Sequence, residues 1–399
     1  MESKLEEQLQ LLPAAELDRR IARMTGIMRR AGVDAVLIGD NANLFYLTGR
    51  VFCGYIYIDA NGGVSYLVRR PGHLLGGDVL HIRKIEDIAS LIAGRHPDAA
   101  VVGLELDALS WTTVSRISAM LGDKVAVANA SDIMRRTRAV KTDAEIALMR
   151  ASGVKQTQVY NAIPHLYQDG MTDIELQIEI ERALRLGGCL GQFRTAGQTM
   201  ELYMGSVLTG DNADAPSPYD FAMGGAGLHP SLPVGANGSI IKPHRPVMID
   251  MNGNFTGYMT DMTRCYVVDS AAAEAVRLNR LSADICAAVA DAARPGAKAS
   301  DLYNIALTMA EAAGAGEWFM GHRYHAGFVG HGVGIEVNEL PVLAPRSRDV
   351  LEAGNTIAVE PKFVVPGLGA VGIENTYVVC ADGPARRITD ASEEIISLR

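Results

Sequence analysis

The chain has 399 residues, of which 48% are hydrophobic and 21% charged, with a formal net charge of −9 at pH 7. That length suits two domains, and the apolar content is enough to build their cores without disulfides or a structural zinc. The acidic balance without a basic cluster excludes nucleic acid as an expected partner, no run of 18 apolar residues suggests a membrane span, and five scattered cysteines without a CxxC pair fit a reducing, cytoplasmic compartment.

The first twenty residues, MESKLEEQLQLLPAAELDRR, are charged and lack the apolar core of a signal peptide. Residues 14–31 place basic and apolar positions at helical spacing, with Gly32 as a stop. VDAVLIGD reads as a buried strand and NLFYLTG as a second short one. YIYIDANGGVSYLVRR is a hairpin turning at Asn61-Gly62. AVVGLEL is a further strand, followed by a helix through about Leu121 and the strand VAVAN, so residues 1–138 are expected to form an α/β unit. RRTRAVKTDAEIALMRASG reads as a linker running into a long helix, started by the capping-box pair Thr142 and Glu145. Thr172 and Glu175 open DIELQIEIERALRLGG in the same way, and Gly187-Gly188 closes it. A long alanine-rich helix from about Ser270 to Arg294 precedes a third, DLYNIALTMAEAAG, with Ser300 as its cap. The order helix, glycine stop, helix, glycine stop, β-rich stretch occurs twice within residues 139–399, which predicts an internal repeat.

Each half ends in a hairpin that carries two carboxylates. In VMIDMNGNFTGYMTDMTRCYVV a reversal between Phe255 and Thr256 sets Asp250 opposite Asp261, and in AVEPKFVVPGLGAVGIENTYVV a reversal at Gly367 sets Glu360 opposite Glu374. Like charges across a strand pair repel, and burying them costs more still, so two such pairs in apolar strands call for a multivalent cation. Between the hairpins, His331 stands among Gly330, Gly332 and Gly334. An imidazole beside four carboxylates is a mixed nitrogen and oxygen ligand set for Mn²⁺, Co²⁺, Zn²⁺ or Fe²⁺. Four carboxylates suffice for two ions roughly 3.5–4 Å apart, with a bridging water of lowered pKa; the implied chemistry is metal-assisted hydrolysis.

MIDMNGNFTGYMTDMTR, GHGVGIEVNELP, AVEPKFVVPGLG and VGIENTYVV resemble, in order and spacing, the metal-ligand motifs of the creatinase/aminopeptidase-fold metallopeptidases, among them prolidase and Xaa-Pro aminopeptidase. GVDAVLIGDNANLFYLTGR and RAVKTDAEIALMRAS are similar to the same family's N-terminal domain and interdomain helix. The resemblance implies an N-terminal creatinase/prolidase-type α/β domain over 1–138, then an α+β pseudo-twofold pita-bread catalytic domain over 139–399. It further implies that Asp250 and Asp261 bind metal, with Asp261 bridging; that His331 and Glu360 hold the second ion; and that Glu374 bridges again. Two divalent ions, Mn²⁺ or Co²⁺ before Zn²⁺ or Fe²⁺, would serve a homodimeric peptidase cleaving short peptides at Xaa-Pro bonds. Glu360 would handle the proton of the attacking water, and His229, in GGAGLHPSLPVG, would contact substrate.

Two positions depart from the pattern. Asn338 stands where the family has a second histidine, and Gly372 where Xaa-Pro peptidases often carry an arginine. His325 or His322 could supply the absent imidazole, Asn338 itself could donate a hydrogen bond, and Tyr258 and Arg264 flank Asp261 closely enough to orient it. Met200, Met204 and Met223 are candidates for a pocket lining, and Cys265 reads as a buried thiol. The departures leave room for a non-peptidase on the same fold, either a creatinase-like hydrolase of a small C–N substrate or a metal-dependent lyase, and for a catalytically silent binding module.

Overall fold

The computed structural model describes residues 6–197, 203–219 and 224–399; Met200 and Met223 lie outside them. The chain divides into two units, Met1–Arg138 and Ala139–Arg399. No helix among the described residues is long and apolar enough to cross a membrane.

The first unit is built on a six-stranded sheet in the order Val79–His81, Val64–Arg70, Cys53–Asp59, Ala35–Ile38, Val101–Leu104, Ala126–Asn129. Ala35–Ile38 pairs antiparallel with Cys53–Asp59 and parallel with Val101–Leu104. Leu37, Tyr57, Leu67, Val102, Leu104 and Ile117 pack into one core. The hairpin register Ile58↔Val64 puts its turn over Ala60–Gly63, with Gly62 at φ 93°. NLFYLTG is not a strand: Asn41–Thr48 is a helix, started by the Asp40 carboxylate, which accepts from the Ala42 amide, and ended by Gly49 at φ 73°. A short apolar run without alternation carries no periodicity to separate strand from helix, and here the two caps decide. The stretch expected to be a linker begins with a helix as well, Ser131–Ala139.

The second unit holds two helix pairs and two larger sheets. Helices α1 (Asp143–Ala162) and α2 (Asp173–Leu186) precede strands β1 (Gly205–Thr209), β2 (Pro246–Asn254) and β3 (Met259–Val267). Helices α3 (Ala273–Ala292) and α4 (Ala299–Ala312) precede β4 (Gly330–Gly332), β5 (Glu339–Leu343), β6 (Thr356–Val359), β7 (Lys362–Val365), β8 (Gly369–Gly372) and β9 (Asn375–Val378). The order of one sheet is Ile396–Ser397, β3, β2, β1, and of the other β5, β4, β6, β9, Arg386–Arg387; β7 and β8 form a ribbon of their own. Helix α1 packs on β2 and β3, while α3 packs on α4 and β8. Both capping boxes form as read from the residues: Thr142 with Glu145, and Thr172 with Glu175. Ser300 caps nothing. Helix α4 starts two residues earlier than that cap implies, with Lys298 at its N-cap and no side-chain bond there.

Strand β3 is buried along its whole length and β2 at every position but Asp250. Covered strands of this kind read as near-continuous apolar runs, and any charge they carry has to be answered by a partner. The site lies where these strands meet the second hairpin.

Candidate metal centre

The first hairpin pairs two residues out of the expected register. Its turn takes in Phe255–Tyr258, with Gly257 at φ 86°, so Asn252 faces Asp261 and Asp250 faces Thr263. A shift of two keeps each side chain on its face of the strand, so Asp250 and Asp261 become diagonal rather than direct neighbours. The second hairpin keeps the expected register. Lys362 pairs with Gly372 and Val359 with Asn375, which leaves Glu360 and Glu374 facing each other where the ladder passes from the ribbon into the larger sheet.

Asp261, His331 and Glu374 each offer one ligand atom within 4.8 Å of the others, and so do Asp250, Glu360 and Glu374. His331 lies on β4, between Val342 and Ala358. Its Nδ1–H donates to the Gly332 carbonyl at 3.0 Å, which leaves Nε2 facing the carboxylates, 3.2 Å from Glu360 Oε1. The loop after β4 is closed by Glu339, which accepts from the Ile335 and Glu336 amides and pairs with buried Lys141 at 2.7 Å. Thr376 ties both backbone groups of Asp261, and the Thr263 hydroxyl donates to Glu374 Oε2 at 2.8 Å. Arg264, wholly buried, donates to the carbonyls of Thr263, Glu374 and Ala391 and to Asn375 Oδ1. It acts on the site through the backbone of Glu374.

Lys362 is the residue that reading the sequence missed. Its ammonium lies 2.7 Å from Asp250 Oδ2, 2.7 Å from Glu360 Oε2 and 3.4 Å from Glu374 Oε2, and the side chain is fully buried. The signal was present: a lysine two residues after Glu360 in an extended apolar run projects from the same face.

Charge is therefore answered unevenly. Burial opposes ionisation of Glu360, but Lys362 and His331 outweigh it and hold the carboxyl at about 2. Burial, then the charge of Asp250, pushes Asp261 up to about 7, and burial with Asp261 and Glu360 raises Glu374 well above the usual carboxylate range. His331 is raised to about 9 against the opposing effect of burial, chiefly by Glu360. One side of the cluster has a cation of its own, while the other keeps protons unless a metal replaces them. Two observations fit a metal on that second side. Glu374 Oε1 is buried without a hydrogen-bond partner, and so are both amide atoms of Asn252, which shares a strand face with the two aspartates. The donor set of Asp261, His331 and Glu374 fits one divalent ion. The trio Asp250, Glu360 and Glu374 is the set that Lys362 already bonds.

The remaining candidates sit elsewhere. His229 is exposed, its ring accepting from Ser231 in a local turn. His325 is exposed with Nδ1 against the Phe319 carbonyl, and His322 pairs with Asp214. None of them belongs to either ligand group among the described residues. Asn338 is engaged by the chain: its Oδ1 accepts from the Ala196 amide at 2.7 Å and its Nδ2 donates to the Ala196 carbonyl at 3.1 Å. The Tyr258 hydroxyl donates to Glu145 in the cap of α1. Met204 packs in the apolar core, and Cys265 is buried, its thiol pushed up to about 11 by desolvation.

Buried carboxylates and an imidazole, gathered from two hairpins and a short strand of a repeated α+β unit, define a metal-dependent hydrolase. The chain belongs to metallopeptidase family M24, whose family model matches residues 147–381, and a Creatinase/Prolidase N-terminal domain precedes it over residues 20–140. It is similar to the Xaa-Pro dipeptidase of Pyrococcus furiosus, 24% identical over 95% of this chain and 100% of that protein. It is also similar to the Xaa-Pro dipeptidase of Lactobacillus delbrueckii subsp. lactis, 25% identical over 92% of this chain and 96% of the other. Among solved structures, the Xaa-Pro dipeptidase from Bacillus anthracis shares the fold at a TM-score of 0.79 and 21% identity, covering 96% of this chain and 99% of its own. The prolidase from Pyrococcus horikoshii does so at 0.75 and 22%, covering 94% and 99%. A creatinase N-terminal domain followed by a pita-bread domain is thus the architecture, and the protein is a metal-dependent peptidase.

Proposed function

We propose that the protein hydrolyses short peptides at Xaa-Pro bonds, with a divalent cation held by Asp261, His331 and Glu374. The observation that carries this reading is the convergence of those three side chains, on separate buried elements, around an unpartnered carboxylate oxygen. The names of the curated relatives supply the bond class. Mn²⁺ or Co²⁺ suits a set of two carboxylates and one imidazole. When bound, such an ion supplies Lewis-acid polarisation of the peptide carbonyl and makes water a competent nucleophile near neutral pH. Glu360 is the proton carrier in this reading. Its Oε2 is bonded to Lys362, while Oε1 faces the His331 ring. Ionised at neutral pH, the Glu360 carboxylate would accept the proton of the attacking water and, being a weak base, give it up to the leaving amine. Asp250, the most open of the four carboxylates with 24% of its side chain exposed, faces the substrate side. The enzyme is proposed to work as a cytoplasmic homodimer; its five free cysteines accord with a reducing compartment.

A panel of Xaa-Pro dipeptides and tripeptides, with matched peptides lacking proline, tests this reading. Turnover of the proline series that is abolished by a chelator and restored by Mn²⁺ or Co²⁺ is expected. Cleavage of no member of the panel would remove the peptidase assignment. In that event the non-peptidase reading, hydrolysis of a small C–N substrate or a lyase reaction, gains weight, because Asn338 is turned to Ala196.

Loading should also depend on pH with a definite sign. Ligands bind metal deprotonated, yet Asp261 is held at about 7, His331 at about 9 and Glu374 above the usual range. Acidification through pH 7 puts protons in competition with the ion, so Mn²⁺ affinity is expected to fall between pH 8 and pH 6 by roughly tenfold per proton displaced and pH unit. Calorimetric titration in two buffers of different ionisation enthalpy measures the protons released. An affinity flat across that window contradicts the assignment of Asp261 and His331 as ligands.

A further inference from the structure

The structure assigns Lys362 the place of a second cation, so that this centre takes one divalent ion rather than two. The inference rests on the reading that the carboxylate cluster is a metal centre, and it concerns how many ions that centre holds. Asp250, Glu360 and Glu374 are the second of the two metal-competent groups, and all three converge on one ammonium at 2.7, 2.7 and 3.4 Å. The first group, Asp261, His331 and Glu374, has no lysine contact except through Oε2 of the shared glutamate. Glu374 is thereby divided: Oε2 takes Lys362 and the Thr263 hydroxyl, while Oε1 has no partner.

Charge and packing agree. Four carboxylates in a buried site need several positive charges nearby, since each uncompensated ion costs several kcal/mol. One ammonium and one divalent ion answer three of the four negative charges. A second divalent ion beside the ammonium would leave the site with one excess positive charge, and restoring the balance would require displacing the lysine from a fully buried position. The stem of Lys362 also has a space built for it. Across the ribbon its partner is Gly372, where an added Cβ would lie 2.9 Å from Lys362 Cα, 3.2 Å from its Cγ and 2.7 Å from the Pro361 carbonyl oxygen. A glycine there leaves room for the backbone of residues 361 and 362 and for the start of the Lys362 stem. The expected arginine of position 372 is absent, and a lysine stands on the opposite strand of the same rung.

The test counts ions. Purified full-length protein and the Lys362→Met variant are equilibrated with buffered Mn²⁺, and bound metal per chain is measured by mass spectrometry and by calorimetric titration. Wild type is expected to hold one ion per chain and Lys362→Met two, because methionine keeps the stem and removes the charge. Asp261→Asn in the wild-type background should bring the count to none, which locates the single ion on the Asp261 side. Two ions per wild-type chain would overturn the inference and leave the metal centre standing. A folded Lys362→Met variant that still holds one ion would overturn it as well. No metal in any of these proteins would instead sink the metal-centre reading, and this inference with it. Should Lys362→Met not fold, the wild-type count and its loss in Asp261→Asn decide.

Discussion

Asp261→Asn is expected to lower kcat/KM on an Xaa-Pro dipeptide by on the order of 10³-fold or more while leaving the metal-free protein as stable as wild type, or more so. The loss follows from the several kcal/mol that a positioned divalent ion supplies to the transition state, at about 1.4 kcal/mol per factor of ten. An amide is a poor ligand beside a carboxylate, and the remaining donors on that side, His331 and Glu374, are too few for a tight site. The retained stability follows from the electrostatics. Burial and the neighbouring Asp250 hold Asp261 at about 7, so its charge is a burden on the metal-free fold at neutral pH and above. The backbone bonds of residue 261 to Thr376 do not involve the substituted side chain. Kinetics with Mn²⁺ and a thermal melt in chelator give the two readouts. Near-wild-type turnover would contradict the role given to Asp261, and a collapse in the metal-free melting temperature would make its role structural.

Arg264→Met is expected to be the most damaging substitution to the fold around the site. The guanidinium is fully buried and donates four hydrogen bonds of 2.7–2.8 Å, three to main-chain carbonyls and one to Asn375. Methionine fills much of the same volume but removes all four bonds; Thr263 keeps the Glu374 amide and Asn375 the Thr389 hydroxyl, while the Glu374 and Ala391 carbonyls lose the buried guanidinium donor, at about 1–3 kcal/mol for each acceptor left unpaired. A net loss of roughly 3–6 kcal/mol corresponds to a melting temperature lower by roughly 10–15 °C in a unit of this size. Lysine should not rescue it, since a point charge cannot serve four acceptors held in a plane by a fork. Because one of those bonds goes to the Glu374 carbonyl, metal affinity should fall along with stability. Differential scanning calorimetry and metal titration measure both; a variant melting within a degree or two of wild type would mean that Arg264 is not the tie described.

The features legible in the residues were those with a local physical cause. A carboxylate in an apolar strand has to be explained, and four of them with a histidine between glycines led to the ligand groups the fold assembles. Capping boxes at Thr142 and Thr172 announced helix starts because the reciprocal bonds need only four consecutive residues. What failed depended on tertiary context. The turn after Asn254 takes two residues more than the shortest reversal would, which moves Asp261 from opposite Asp250 to opposite Asn252. NLFYLTG became a helix because Asp40 and Gly49 cap it, a signal outranked by its β-branched and aromatic neighbours. Asn338, one of the candidates to hydrogen-bond substrate, has an amide that pairs with both backbone groups of Ala196, 142 residues away in the chain, a contact no local pattern encodes. Lys362 was overlooked for a different reason: a single lysine in a strand is ordinarily a solvated charge, and only the fold shows it enclosed by three acids.

The account depends most on a cation lying between Asp261, His331 and Glu374. A crystal of the full-length protein grown with Mn²⁺ and examined at the manganese absorption edge tests that directly. The account predicts an anomalous peak about 2.0–2.3 Å from a carboxylate oxygen of Asp261, from His331 Nε2 and from Glu374 Oε1. A map at full manganese occupancy of the crystallisation buffer with no peak among those three side chains would contradict it.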